Sequence, residues 1–281
     1  MPALTPQIWF ITGASRGLGV HIAQAALAAG HSVVATGRNA ERVRTAIGDH
    51  EQLLTVALDI TEESAAVRAV RAAVDRFGRI DLLVNNAGNF QAGFFEEISS
   101  AQYRAEMDTN FFGPLNVTRA VLPVMRAQRS GHIVTITSTA GVVAGPFAGA
   151  YAASKFALEG WMESLHEEVE RFNIRTTLVE PGFFRTELLV EGASTLWGDL
   201  SVDDYAEQTR QIIPEWQSMN GNQPGDPAKL ARSLLAVVAL PTPPQRWVAG
   251  ADAVEGIAGK GRLLIEQANA HLTLSTGLDH D

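Results

Sequence analysis

The chain has 281 residues, of which 46% are hydrophobic, and it carries a formal net charge of −9 and no cysteine. The acidic balance argues against nucleic-acid binding, which needs a basic face, and the lack of cysteine excludes disulfides, thiolate catalysis and cysteine-based zinc sites. No apolar run approaches the roughly 18 residues of a membrane span, and the N-terminus shows no secretory pattern. We therefore expect a cytoplasmic protein without a metal site.

The chain opens with a strand, a glycine-rich turn and a helix. The apolar run from Ile8 to Thr12 predicts a parallel strand that is buried on both faces. It leads into Gly13 to Gly19 and then into an alanine-rich helical stretch from His21 to Ala29. This arrangement directs backbone N–H groups and a helix N-terminus at a phosphate. The spacing Gly-x3-Gly-x-Gly is unusual and a glycine-rich turn alone is weak evidence, so a plain tight turn is the alternative.

The second strand, Ser32 to Ala35, ends at Thr36, Gly37 and Arg38. In a dinucleotide-binding unit an acid near this point holds the ribose hydroxyls, whereas an arginine accommodates a 2′-phosphate. Gly37 and Arg38 supply no acid and one cation, and Arg16 in the glycine-rich turn can add another. The alternative for either arginine is an ordinary solvated side chain.

Strands and helices continue to alternate along the chain. Further strands are predicted at 53–58, 80–84, 132–137 and 175–179. Helices are predicted at 62–77, with Thr61 as a plausible N-cap, at about 101–128, and around Tyr151. Six strands alternating with helices indicate one doubly wound parallel sheet.

Tyr151 and Lys155 stand four residues apart, and on a helix such residues lie on one face. The nearby ammonium favours phenolate, so we expect the pKa of the phenol to fall from about 10 towards neutrality. Such a phenol can give or take a proton near neutral pH. Seen in isolation, the pair is better explained as a chance feature of a surface helix, and only the rest of the chain overturns that alternative.

Taken together, the motifs resemble those of the short-chain dehydrogenase/reductase family in its shorter single-domain branch. They fall in the family's order between residue 7 and about residue 187: Thr12, Gly13, Gly17, Gly19, Asp59, Asn85 to Gly88, Asn110, Ser138, Tyr151, Lys155, Pro181, Gly182 and Thr186. The resemblance implies one Rossmann-type α/β domain over 1–281, with a seven-stranded parallel sheet in the order 3-2-1-4-5-6-7. NAD(P) would lie across the carboxyl ends of the strands, and Arg38 and Arg16 predict that the form is NADP(H).

The resemblance also implies residue roles. Tyr151 would be the general acid or base, Lys155 would hold the nicotinamide ribose, and Ser138 would hydrogen-bond the substrate oxygen. Asn110 would hold a water that connects the lysine to solvent, although an exposed helical asparagine is the alternative. The implied cofactor-binding residues are Gly13, Ser15, Arg16, Gly17, Leu18, Gly19, Gly37, Arg38, Asp59, Ile60, Asn86, Ala87, Gly88, Tyr151, Lys155, Pro181, Gly182, Phe184 and Thr186.

The chain after Thr186 is less informative. Residues 187–223 mix polar with large apolar side chains, and in the family this insertion covers the substrate. Candidate pocket residues are Phe90, Phe94, Val142, Phe147, Leu188, Leu189 and Trp197, each of which could instead be a core or subunit contact. A helix from Pro227 to Ala239 capped by Asp226, a seventh strand at 246–250 and a helical extension over 251–281 complete the prediction.

The leading interpretation is an NADP(H)-dependent carbonyl reductase or alcohol dehydrogenase that acts on an apolar, mid-sized small molecule. The alternatives are a reductase of 3-oxoacyl groups on a carrier protein and an NADP(H)-sensing regulatory protein without turnover. We expect no nucleic-acid or membrane partner. The helices around Asn110 and Tyr151 are expected to pair in a homodimer or homotetramer.

Overall fold

A seven-stranded parallel sheet forms the centre of the computed structural model, which describes residues 6–278 and residue 280. The strands are β1 (Ile8–Ile11), β2 (Ser32–Gly37), β3 (Leu53–Ala57), β4 (Leu82–Asn85), β5 (Phe90–Ala92), β6 (Gly131–Ile136), β7 (Ile174–Pro181), β8 (Thr195–Trp197) and β9 (Arg246–Ala249). The central sheet has the order β3-β2-β1-β4-β6-β7-β9, whereas β5 and β8 pair separately. Counted along the central sheet, this is the order 3-2-1-4-5-6-7, so the predicted fold class is confirmed.

Helices cover both faces of the sheet. They are α1 (Gly17–Ala28), α2 (Ala40–Ile47), α3 (Glu63–Phe77), α4 (Ser100–Met107), α5 (Gly113–Gln128), α6 (Gly149–Val169), α7 (Ala206–Met219), α8 (Pro227–Val238), α9 (Ala251–Ala270) and α10 (Leu272–Thr276). Successive strand residues point to opposite faces: Trp9 and Ile11 pack with the residues of α1 and α8, and Phe10 packs with those of α3 and α5. The two faces together form one doubly wound domain.

Two predicted helices differ from the observed ones. The single helix predicted at 101–128 is divided into α4 and α5 by a π-helical segment, Asp108–Phe112, which contains Asn110. The predicted N-cap Thr61 is wrong, because Glu62 occupies the N-cap of α3. The Thr61 hydroxyl instead donates to Asp59 Oδ1 at 2.7 Å, which holds Asp59 in place at the end of the third strand.

The chain after the last strand is helical, as predicted, over α9 and α10. Ala253 is buried near the start of α9, whereas every side chain from Arg262 to Leu278 is exposed. The predicted extension also includes positions 279 and 281, and the predicted domain also includes 1–5, all of which lie outside the described residues. Among the helices that the structure describes, none combines the length and apolar character needed to cross a membrane.

Candidate active site

The carboxyl ends of the central strands open onto a cleft with a volume of about 570 Å³. Ser138 lines it, as do all but one of the predicted cofactor-binding residues: Gly13, Ser15, Arg16, Gly17, Leu18, Gly37, Arg38, Asp59, Ile60, Asn86, Ala87, Gly88, Tyr151, Lys155, Pro181, Gly182, Phe184 and Thr186. Residues that are far apart in the sequence meet here because all parallel strands end at the same edge of the sheet.

Gly19 is the exception, because it lies behind the cleft wall. A Cβ atom at this position would come within 2.4 Å of the Gly13 carbonyl oxygen and within 2.7 Å of Asn86 Nδ2. The glycine therefore allows α1 to pack closely against the turn that precedes it. In the structure it shapes the turn, and its contact with a cofactor stays a prediction.

The glycine-rich turn is held against the loop that follows β4. Thr12 Oγ1 accepts hydrogen bonds from the backbone N–H groups of Asn86 at 2.9 Å and Ala87 at 3.1 Å. Gly13 has φ +67°, and a Cβ there would lie 2.7 Å from Ala87 Cα. A side chain at residue 13 would thus separate the two loops that form this wall.

The N-terminus of α1 faces the cleft with free backbone donors. Arg16 occupies the N-cap without a side-chain capping hydrogen bond, and Gly17 and Leu18 in the first turn line the cleft. Uncapped N–H groups and the positive end of the helix dipole attract an anion. This wall therefore fits the diphosphate of a dinucleotide.

Three arginines cluster beside this helix end. Burial lowers the pKa of Arg16, and repulsion from Arg38 and Arg42 lowers it further, whereas Glu187 raises it. Arg16 also donates to the Ala193 carbonyl oxygen at 2.5 Å. Sequence reasoning missed Arg42, which lies in the first turn of α2. Its backbone N–H donates to Oδ1 of the N-cap residue Asn39 at 3.0 Å. A third cation four residues after Arg38 was the available signal.

Tyr151 and Lys155 are brought to the cleft by the first turns of α6, and both side chains are buried. Lys155 Nζ lies 5.5 Å from the centroid of the Tyr151 ring and donates to the Ile136 carbonyl oxygen at 3.1 Å. Ser138 comes two residues after the end of β6, and its Oγ accepts from Ala140 N–H at 3.1 Å. The phenol, the ammonium and the hydroxyl therefore share one wall.

The electrostatics of the pair differ from the expectation. Burial raises the pKa of Tyr151 to about 12, a hydrogen bond with Ser138 lowers it, and Glu106 raises it. Burial lowers the pKa of Lys155 to about 8, against the raising effects of Glu106 and Glu159. The predicted fall of the Tyr151 pKa towards neutrality is therefore not a property of the protein alone, because desolvation of the phenolate outweighs the nearby ammonium.

Asn110 is fully buried and does not line the cleft. Its Oδ1 accepts from Asn89 N–H at 2.9 Å, and its Nδ2 donates to the Asn89 carbonyl oxygen at 2.9 Å. Nδ2 also donates to Glu106 Oε1 at 2.8 Å and to Ser154 Oγ at 3.1 Å. The alternative of an exposed helical asparagine is wrong, and the donors of this amide are already occupied by protein groups.

Sequence reasoning also missed a charged cluster beneath α6. Arg246 on β9 forms ion pairs with Glu159, with Glu180 at 2.5 Å and with Glu163 at 2.6 Å. Glu159 and Glu163 lie on α6, and Glu180 lies on β7 just before Pro181. The cluster therefore ties the helix that carries Tyr151 to the strands at this edge of the sheet.

The predicted substrate residues form an apolar cluster next to Tyr151. Phe90, Phe147 and Leu189 are buried with Tyr151, and Phe94, Leu188 and Trp197 pack against them, whereas Val142 lies outside this cluster. The Phe90 ring contacts the Tyr151 ring edge-on at 5.0 Å and stacks on Trp216 of α7 at 5.0 Å. Of the predicted set, only Leu188 reaches the cleft, where Leu196 joins it.

Comparisons with known proteins agree with this arrangement. A family model described as "short chain dehydrogenase" matches residues 7–196. Oxidoreductase BOA17 of Botryotinia fuckeliana is 37% identical over 90% of this chain and 92% of that protein. The 3-ketodihydrosphingosine reductase of Bacteroides thetaiotaomicron is 38% identical over 88% of this chain and 89% of that protein.

Solved structures show the same architecture. A short-chain dehydrogenase from Streptomyces avermitilis superposes with a TM-score of 0.87 at 35% identity, over 98% of this chain and 99% of that one. A short-chain dehydrogenase/reductase from Burkholderia phymatum in complex with NAD superposes with a TM-score of 0.82 at 22% identity, over 95% of this chain and 97% of that one. The second likeness is evidence for the fold alone.

Proposed function

Since the chain is an oxidoreductase of the short-chain dehydrogenase/reductase family, we propose that it interconverts a ketone or aldehyde and an alcohol with NADP(H). The observation that carries this proposal is the convergence of the Tyr151 phenol, the Lys155 ammonium and the Ser138 hydroxyl on one wall of the cleft. The same cleft is lined by the uncapped N-terminus of α1 and by Arg16 and Arg38 of the arginine cluster.

Each of the three groups has a role that its chemistry allows. Tyr151 donates a proton to the substrate oxygen in reduction and removes it in oxidation. Ser138 hydrogen-bonds the same oxygen and stabilises the charge that develops on it. Lys155 holds the ribose hydroxyls of the cofactor and helps the phenol to ionise. When it is bound, the nicotinamide supplies or accepts the hydride.

The proposed preference for NADP(H) over NAD(H) rests on the charges at the end of β2 and beside the N-terminus of α1. Gly37 places no carboxylate at the end of β2, and Arg16, Arg38 and Arg42 concentrate positive charge there. A 2′-phosphate would be attracted to this cluster, whereas an unmodified ribose would gain little from it. The affinity difference is therefore expected to lie in the phosphate contacts.

The residues around Tyr151 favour an apolar substrate. Phe90 and Leu189 are buried beside the phenol, and Leu188 and Leu196 line the cleft itself. The similarity to a protein named as a reductase of 3-ketodihydrosphingosine is in line with a ketone on an apolar chain. We propose a mid-sized apolar carbonyl compound or alcohol as the substrate.

A panel of apolar ketones and alcohols assayed with NADPH, NADH and their oxidised forms tests the function. Turnover is followed by the absorbance of the reduced nicotinamide, and Tyr151→Phe is the matched inactive control. A 3-oxoacyl thioester on carrier protein belongs in the panel as the competing substrate class. Failure of every member with both cofactors, although the cofactors bind, would contradict the proposal.

The insertion at 187–223 is expected to cover the substrate. Within Ala206–Met219 no side chain is buried, although Ile212, Ile213, Trp216 and Met219 pack partly buried against the cluster around Phe90. A bond from Thr209 Oγ1 to Glu97 Oε2 at 2.7 Å also holds α7. A helix without a buried side chain opens more readily than a core element. We therefore predict that tryptic cleavage after Arg210 slows when cofactor and a substrate analogue are bound.

Mass spectrometry of timed digests measures this protection. Cleavage after Arg262, which is exposed on α9 and outside the insertion, is the internal control and is expected to proceed at the same rate in both states. Equal rates of cleavage after Arg210 with and without the ligands would show that 187–223 is not a closing cover.

Self-association is expected through the helices around Asn110 and Tyr151. Phe112 in the π-helical segment is 49% exposed and Phe156 on α6 is 42% exposed. Large apolar groups on two adjacent long helices favour an isologous contact between copies. We predict a dimeric or tetrameric mass by light scattering at micromolar concentration, and a lower mass for Phe156→Glu.

The exposed Phe95, which lies outside these helices, provides a matched control in Phe95→Glu. That variant is expected to keep the oligomeric mass. A monomeric mass for the wild-type chain, or the same loss of mass in both variants, would count against this interface.

A further inference from the structure

Glu106 is a carboxyl group buried beside the proposed active site. It lies on α4, one helical turn before Asn110, and its residue is only 1% exposed. Its Oε1 accepts from Asn110 Nδ2 at 2.8 Å and from Gln91 N–H at 3.4 Å. Its Oε2 is buried and has no hydrogen-bond partner among the described residues.

An uncharged glutamine would anchor Asn110 equally well. Burying a carboxylate costs free energy unless a charge or several donors compensate it, and Glu106 has no salt bridge among the described residues. The anchoring bond therefore does not explain why this position carries an acid. The surroundings of the carboxyl group supply the reason.

The groups that face Glu106 belong to three elements. From α6 come Lys155 and Tyr151, whose protonation Glu106 influences, and from β5 comes the uncharged N–H of Gln91. The third is the π-helical segment with Asn110, which is bonded in turn to the uncharged Ser154 and Asn89. Lys155 is the charged group whose attraction acts on Glu106.

Asn110 connects this carboxyl group to Lys155 in space. A Cβ at Gly88 would lie 3.0 Å from Asn110 Oδ1 and 3.9 Å from Lys155 Nζ. The anchored amide and the ammonium thus both lie next to Gly88, which lines the cleft. An anion behind the amide acts on the ammonium through a water-poor interior, where charges interact more strongly than in solvent.

We infer that Glu106 is a positioning residue of the active site proposed above: it anchors Asn110, and its negative charge keeps Lys155 and Tyr151 protonated. This inference rests on the proposed function. In the direction of reduction the phenol must carry a proton to donate, so a nearby anion extends activity to higher pH. In the direction of oxidation the same anion makes the phenol a stronger base once it has ionised.

The first test is a carboxyl titration that needs no turnover. Burial raises the pKa of Glu106 to about 7, and Lys155 lowers it. We expect the δ-carbon signal of ¹³C-labelled Glu106 to titrate near neutral pH, and its midpoint to move higher in Lys155→Met. The signal is assigned by its disappearance in Glu106→Gln or in Glu106→Asp, whichever variant folds.

A midpoint in the ordinary range for glutamate, or one that does not respond to Lys155→Met, would overturn the inference whatever the enzyme assays show. A Glu106 midpoint near neutral pH that moves higher in Lys155→Met, together with no turnover on any carbonyl compound, would instead contradict the proposed function. The two failures are therefore distinguishable.

The second test is the pH profile of kcat/KM for ketone reduction in Glu106→Gln, which keeps an oxygen for Asn110 but loses the charge. Removing the anion lowers the pKa values of Tyr151 and Lys155. We expect the alkaline limb, where Glu106 is ionised, to move about one pH unit lower, at the low end of the shift caused by a close charge.

Glu97→Gln is the matched control. Glu97 is also buried and also accepts a side-chain hydrogen bond, from Thr209, but it is not among the groups that shift Tyr151 or Lys155. The alkaline limb of the kcat/KM profile of Glu97→Gln is expected to stay at the wild-type pH. A Glu106→Gln profile that is scaled down at every pH without moving would show a merely structural role and overturn the inference.

Discussion

Replacement of Tyr151 by phenylalanine is expected to lower kcat by about 10²–10⁴, the usual contribution of a general acid–base group. The aromatic ring, its edge-on contact with Phe90 and its place over Lys155 would remain. Only the hydroxyl, which exchanges the proton with the substrate oxygen, would be lost. Cofactor affinity is expected to persist, because Lys155 and the glycine-rich wall are unchanged.

Steady-state turnover of one good ketone, together with fluorescence titration of NADPH binding, measures both quantities. Tyr103→Phe on α4 is the matched control, since it deletes a phenol hydroxyl outside the cleft and is expected to turn over like the wild type. Near-wild-type turnover by Tyr151→Phe would rule out the assignment of Tyr151. Loss of NADPH binding would show a disturbed cleft and leave the rate uninterpretable, so the binding titration precedes the kinetics.

Replacement of Arg38 by alanine is expected to reduce kcat/KM for NADPH by some tens of fold to about a hundredfold and to leave the value for NADH nearly unchanged. A charge-assisted hydrogen bond contributes about 1.5–3 kcal/mol, and Arg38 is an exposed member of the cluster that lines the cleft. Salt screens an exposed charge, so the effect is expected to shrink as ionic strength rises. Arg42→Ala is expected to act in the same direction.

Arg44→Ala is the matched control for both variants, because Arg44 lies on α2 with Arg42 but pairs with Glu41 at 2.9 Å and Asp49 at 3.5 Å. Adding an acid at residue 37 is a less direct test, since a Cβ at Gly37 would lie 2.9 Å from Val43 Cγ2. That stiff β-branched side chain would have to move. A ratio near one between kcat/KM for NADPH and kcat/KM for NADH, unchanged in Arg38→Ala and in Arg42→Ala, would show that the cluster does not bind the 2′-phosphate.

The sequence by itself determined the fold. Buried strands such as Ile8–Ile11 are continuous apolar runs, and parallel connections between them require helices, so local patterns predict the alternation and the sheet. The same logic places Gly13, Ser138 and Tyr151 at one edge, because they follow strands or begin the helix after one. The motif order then identified the family, which the comparisons confirm.

The tertiary structure decided the electrostatics and the supporting contacts. The spacing of Tyr151 and Lys155 predicted a lowered phenol pKa, but burial reverses the direction, and burial depends on what packs against a residue from elsewhere in the chain. Arg246 carries no local signature, since Glu159, Glu163 and Glu180 are brought close to it only by folding. Glu106 stands four residues before Asn110, but its burial beside Lys155 depends on folding. Asn110 could be located by its motif, yet its bonds to Asn89 and Ser154 form only because the loop before β5 and helix α6 meet it in space.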